Sequence, residues 1–400
     1  FEPVGAGSQP QQLLGERLSS GGGFNADPYS DFVSGSPTAG GGAGRVDLFL
    51  GTSYSVTNPP AAISPFASIV GGAGDALGHG LDLGDVNGDG YADILIGAPG
   101  SALSQEPPAG DVYIFFGGPV HSSGSWPLAA ADVRFSGENP STERCGVSVA
   151  AVGDVNGDGI GDLAFSCPWH QVTAGSPAGR TAIFFGRLNW NTSYSVDDAD
   201  SLILGSVDDE YSGDSLTGGF DINGDGYDDF AVGSSGYASG TGRIGISFGR
   251  ATATWPSNRA FGDLDRVYYA NLSFAQGLGG HLASGDANGD SYDDLVVGAP
   301  AMGSDKGALG LLLGSSSMPS VMSISILRRR ESTCSSVSAV RLSERHGRCM
   351  GGAWEVRARS HLLERVRREV EREARVDNHQ RALDVGAERL DARERRQQHL

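Results

Sequence analysis

Four nine-residue stretches of this chain share one pattern, Asp-x-Asn-Gly-Asp-Gly/Ser-x-x-Asp, which gathers oxygen donors at a spacing suited to a hard cation. The candidate ligands of the first are Asp85, Asn87, Asp89, Tyr91 and Asp93, and of the second Asp154, Asn156, Asp158, Ile160 and Asp162. Those of the third are Asp221, Asn223, Asp225, Tyr227 and Asp229, and of the last Asp286, Asn288, Asp290, Tyr292 and Asp294. Side-chain oxygens at positions 1, 3, 5 and 9, with the main-chain carbonyl of position 7, meet on one ion only if the loop turns tightly. Glycine at position 6 permits that turn through left-handed backbone. Gly90, Gly159 and Gly226 supply it, whereas Ser291 puts a modest backbone cost on the last loop and ranks it below the others. Carboxylates this crowded repel one another unless a cation neutralises them, so the pattern predicts three to four bound Ca²⁺ ions rather than plain acidic turns. An all-protein oxygen cage of this size suits Ca²⁺ better than Mg²⁺.

An EF-hand begins with the same residues but needs a bidentate Glu at position 12 and a helix on each side. Position 12 is Ile96, Phe165, Val232 or Val297, inside short apolar runs such as Asp93 to Gly97 that read as buried strands. Each loop therefore joins two strands, the second starting at the last ligand. Ahead of each loop stands a residue-glycine step: Leu77-Gly78, Cys145-Gly146, Ser212-Gly213 and Leu278-Gly279. After it come a small-residue turn, as in Gly97-Ala98-Pro99 and Gly298-Ala299-Pro300, and a further strand ending in glycine at 117, 186, 249 or 314. A degenerate fifth copy opens the chain with Leu14-Gly15 and the loop Gly23 to Asp31. That loop lacks the first ligand and has Pro28 where glycine belongs, so it is expected to hold little or no metal. Loop starts at 23, 85, 154, 221 and 286 are spaced by 62, 69, 67 and 65 residues, a period that means stacked or radially arranged blades.

The residue-glycine step, cation loop and Gly-Ala-Pro turn together resemble the FG-GAP repeats of the integrin alpha-subunit β-propeller and of bacterial FG-GAP proteins. The resemblance covers about residues 13 to 314 and implies an all-β propeller of FG-GAP blades, five detected here where the family usually has seven. The phenylalanine of the family name is replaced in every copy, by Leu14, Leu77, Cys145, Ser212 and Leu278. What the resemblance implies for function is an extracellular or cell-surface adhesion or recognition module with a protein or glycan ligand, its Ca²⁺ structural. The alternative is an accessory propeller of a secreted, phospholipase-like hydrolase whose catalytic domain, with its clustered histidines, this chain lacks.

Nothing in the residues points to an enzyme: there is no Gly-x-Ser-x-Gly elbow and no phosphate loop. His79 and His281 occupy matching repeat positions and read as scaffold, and His121 and His170 have no adjacent nucleophile pattern. Trp126, Trp190 and Trp255 recur behind the glycine-ended strand and read as packing between blades. Cys145 and Cys167 flank one hairpin and either pair as a disulfide or stay as buried thiols. Asn191 and Asn271 head glycosylation acceptors if the source is a secreting eukaryote.

Charge divides the chain. Residues 1–326 hold 11 basic and 36 acidic residues, while 327–400 hold 18 basic, all arginine, and 12 acidic, which together give the net of −19. The acidic part disfavours nucleic acid and anionic membranes as partners. No apolar run reaches the length of a membrane span, and a start at Phe1 without initiator Met or signal peptide reads as a processed or trimmed product. Residues 1–314 form the propeller domain in this reading, and 315–400 a basic low-complexity tail without the repeat, helical or disordered. The loss of register and the lysine-free arginine content match a frameshift in GC-rich coding DNA, which sequencing across codon 315 tests; a partner-docking basic helix is the alternative.

Overall fold

The run Asp93 to Ala98 is apolar at almost every position, which suits a strand covered on both faces, and it is buried throughout. The computed structural model describes residues 15–52, 64–101, 109–139, 143–171, 176–269, 277–300 and 308–318. Leu14, Asn271 and the tail from 319 onward lie outside the described residues.

Among the described residues the fold is a series of five antiparallel blades, each a meander in chain order, with β-propeller architecture. Blade 1 consists of β1 (Arg17–Ser20), β2 (Phe32–Ser36), β3 (Arg45–Phe49) and β4 (Ala67–Val70). Blade 2 has β5 (Leu81–Gly84), β6 (Asp93–Ala98), β7 (Asp111–Phe115) and β9 (Val133–Ser136), with β8 (Gly124–Pro127) inserted before the last strand. Blade 3 repeats this with β10 (Val149–Gly153), β11 (Asp162–Cys167), β12 (Arg180–Phe184), the insert β13 (Ser193–Ser195) and β14 (Ser201–Leu204). Blade 4 has β15 (Leu216–Phe220), β16 (Asp229–Ser234), β17 (Arg243–Ser247), the insert β18 (Asn258–Ala260) and β19 (Arg266–Tyr269). Blade 5 comprises β20 (His281–Gly285), β21 (Asp294–Ala299) and β22 (Ala308–Leu312).

Two devices join neighbouring blades. Each insert pairs in parallel with the outermost strand of the preceding blade, β8 with β4, β13 with β9 and β18 with β14. The first strands pack in sequence, β1 on β5, β5 on β10, β10 on β15 and β15 on β20. The residue-glycine step is the seam between blades. Gly44, Gly110, Gly179 and Gly242 have φ of 82 to 87°, and a β-carbon on any of them would come within 2.2 to 2.4 Å of the main chain of Leu77, Cys145, Ser212 or Leu278. That close approach, rather than a phenylalanine ring, defines the step in this chain.

Apolar clusters fill the spaces between blades. Val112 and Ile114 of β7 are fully buried with Val149 and Leu163 of blade 3. Their register equivalents on β22, Leu309 and Leu311, are 51 and 39% exposed, because no described blade follows blade 5. Trp126 packs among Phe24, Phe66 and Phe115, Trp190 against Phe135 and Tyr194, and Trp255 against Phe185. Met318 takes the same place after β22 and is buried with Ile222 and Leu312, so repeat geometry continues past Gly314.

Candidate metal centres

Each Asp-rich loop links the first and second strands of its blade, so all lie at the same end of the meanders. In the loop of blade 2, Asp85 Oδ1 accepts the N–H groups of Gly88 at 2.7 Å and Asp89 at 3.2 Å, and its Oδ2 accepts that of Gly90 at 2.8 Å. Asp154, Asp221 and Asp286 repeat the three bonds in blades 3, 4 and 5. At position 3, Asn87, Asn156, Asn223 and Asn288 each donate Nδ2–H to the position 5 aspartate, 89, 158, 225 or 290. That aspartate accepts the N–H of position 7, which is Tyr91, Ile160, Tyr227 or Tyr292. Ser291 takes φ of 73°, the left-handed backbone that its glycine counterparts adopt, and carries the expected strain.

Position 9 is the buried end. Asp93, Asp162, Asp229 and Asp294 are fully buried. Each accepts one N–H from position 2 of its own loop and one from the glycine ending the third strand, as Asp93 does from Val86 and Gly117, both at 2.9 Å. Burial pushes the Asp93 carboxyl up to about 7, Asp162 to about 8 and Asp229 to about 7; these hydrogen bonds pull back and the carboxylates at positions 1 and 5 push further up.

Loop 1 separates clasp from cage. Asp31 keeps the position 9 bonds, from Phe24 and Gly51 N–H, both at 2.6 Å. Its position 1 is Gly23, which offers no carboxylate, and its position 6 is Pro28, which offers no N–H for one. The clasp is thus retained where the cation donor set is not.

Among the described residues no three His, Cys, Asp or Glu side chains stand together as a metal-holding group. The donor set nonetheless fits a hard cation: three carboxylates, one amide oxygen and one main-chain carbonyl in each of loops 2 to 5, with repelling carboxylates around a buried one. The residues that would hold the ion are the twenty named from the sequence.

The other end of the blades carries buried ion pairs. Glu143 binds Arg180 at 2.5 Å and His170 Nδ1 at 2.8 Å, and Glu210 binds Arg243, which lies between Tyr237 and Phe261. Burial pushes the Glu143 carboxyl up, but the His170 bond, the Arg180 charge and two N–H bonds outweigh it and hold the group below the usual range. His79 bonds Val147 O through Nδ1 and His121 packs on Phe24 and Trp126, whereas His281 stands exposed on β20. Cys145 and Cys167 form a disulfide within blade 3. Trp169, 41% exposed, has the Arg144 guanidinium over its ring and packs at a tilt against Tyr211 at this end. Asn191 is exposed.

Sequence reasoning missed positions 7 and 8 as side chains. Tyr227 and Tyr292 lie over the loop of the preceding blade, and Asp228 and Asp293 bond its main chain. The Tyr-Asp-Asp triplet shared by the last two loops was the available signal.

The FG-GAP repeat model matches this chain at residues 77–115, 212–246 and 278–311, which span the first three strands of blades 2, 4 and 5. Blade 3, with its cysteine pair, repeats their geometry without matching. The chain is 31% identical to integrin alpha-7 of Rattus norvegicus over 223 residues, 55% of this chain and 18% of that protein. It is 30% identical to integrin alpha-6 of Homo sapiens, over 55% of this chain and 17% of that one. Integrin alpha-PS5 of Drosophila melanogaster is 32% identical over 166 residues, 41% of this chain and 15% of that protein. The chain spans less than a fifth of the length of these curated relatives. It carries FG-GAP repeats and resembles the integrin alpha-subunit β-propeller.

Proposed function

We propose that this chain of FG-GAP blades is a calcium-stapled recognition module, working at a cell surface or outside the cell and binding a protein or glycan ligand. The observation that carries the reading is the fourfold recurrence of one loop geometry, with two carboxylates and an amide around a buried aspartate, in blades similar to those of integrin alpha subunits. When bound, Ca²⁺ would neutralise each carboxylate set and couple loop closure to folding. The chain itself supplies the clasp: position 9 ties the first and third strands, and position 1 holds the turn. The disulfide fits an oxidising compartment. No helix among the described residues is long and apolar enough to cross a membrane. The role is binding rather than catalysis, and the end opposite the loops, where Trp169 and Tyr211 reach the surface, is its contact face.

Scanning calorimetry of the full chain with and without millimolar Ca²⁺, beside a count of bound metal, tests the reading. Three or four ions and a higher unfolding temperature support it; no ion and no shift would refute it.

A further inference from the structure

Successive loops touch each other. In blade 4, Asp228 Oδ2 accepts the N–H of Asp154, the first ligand position of the blade 3 loop, at 2.7 Å, and Asp228 N–H returns a bond to Asp154 O at 3.3 Å. Asp293 of blade 5 does the same to Asp221 of blade 4, at 3.0 and 3.2 Å. The preceding side chain covers the same loop. A β-carbon on Gly157 would lie 2.3 Å from the Tyr227 ring, and one on Gly224 would lie 2.4 Å from that of Tyr292. Further along, Arg250 N–H bonds Val155 O at 2.8 Å and Thr252 N–H bonds Asn156 O at 3.1 Å. Main chain at positions 1 to 3 of the blade 3 loop is therefore held by blade 4, and position 4 lies under its tyrosine ring.

The junction between blades 2 and 3 lacks half of this. Ile160 stands where the tyrosines do, at 3.3 Å from the place of a Gly88 β-carbon, and position 8 is Gly161, with no carboxylate to grip Asp85.

We propose that the cation loops of blades 3, 4 and 5 load as one coupled array, with Tyr227, Asp228, Tyr292 and Asp293 as the positioning residues that carry the coupling. This rests on the calcium reading above. Closure of one loop on its ion fixes the main chain around positions 7 and 8, which fixes the position 1 main chain of its neighbour and so prepares the neighbour's first ligand. Neither side chain is a cation donor in its own loop, since position 7 contributes its carbonyl and position 8 nothing. Coupling of this kind is reciprocal between the two sites.

The test is native mass spectrometry of the full chain across a range of free Ca²⁺, counting molecules with each number of ions. With the blade 2 loop loading on its own, coupling of the other three concentrates the population in forms with zero or one ion and with three or four, whereas sites that differ only in intrinsic affinity populate the two-ion form as well. The expected wild-type result is depletion of the two-ion form. Tyr227→Ala combined with Asp228→Asn should spread the loading and weaken the blade 3 ion by about five-fold or more, with the final number of ions unchanged. A destabilised scaffold alone would not convert bunched loading into independent loading. Independent loading in the wild type overturns the proposal and leaves the calcium reading intact, and so does a bunched variant. Absence of any bound ion overturns both. Should the variant fail to fold, the wild-type distribution alone decides.

Discussion

Position 4 and position 6 glycines of one loop face different constraints, although both have positive φ. Gly157 has φ of 75° and the Tyr227 ring over it, while Gly159 has φ of 88° and open space. Gly159→Ala should cost about 1 kcal/mol, the strain of left-handed backbone alone. Gly157→Ala should cost at least about twice that, since the ring must also move, and comparing the two unfolding temperatures checks it. By the same reasoning Ser291→Gly should stabilise the chain by up to about 1 kcal/mol. Asp214 offers a pH probe. Its Oδ2 accepts Ser235 N–H and Oγ–H, its Oδ1 has no partner among the described residues, and burial raises its carboxyl to about 6. A raised acid binds protons more tightly folded than unfolded, so its stabilisation is full below about 4 and lost as pH rises through about 6. Asp214→Asn should therefore gain on the wild type between pH 4 and 7, by about 3 kcal/mol, and denaturant melts across that range measure it. The candidate donor residues were legible because their spacing is local; Asp214 was not, since its environment comes from a turn 21 residues away.

Strands were legible as apolar runs ending in glycine, and the loop as strand-to-strand because position 12 is apolar in every copy. What the runs did not disclose was the inserted strand of each repeat. β8, β13 and β18 are short and polar, and among the described residues pair only with the preceding blade. The cysteine pair was equally open in sequence, and the blade decided it by placing Cys145 at the seam beside the end of β11. Buried ion pairs hold the far ends of the strands, and Glu210→Ala should cost about 3–5 kcal/mol because Arg243 would stay buried without its carboxylate. Chemical denaturation measures that loss, and a loss below about 1 kcal/mol would show that Arg243 finds another acceptor.

Blades stacked in one dimension draw stability from their neighbours, so position in the series should set local stability. Blade 3 is covered on both sides, whereas β20 is largely exposed and β22 shows alternate leucines to solvent. Amide hydrogen exchange should be slowest in β10 to β12 and faster by at least about ten-fold in β20 to β22. Equal protection in both would mean that the exposed face is covered in solution. By itself the sequence determined the five-copy repeat, the oxygen-donor spacing of its loops and the all-β class, because each depends on residues within a few positions of one another. Only the tertiary structure decided how the loops grip one another, which carboxylates are buried and which face of blade 5 is bare. Those features arise between repeats about 65 residues apart, where the backbone approach and not the local pattern sets the contact.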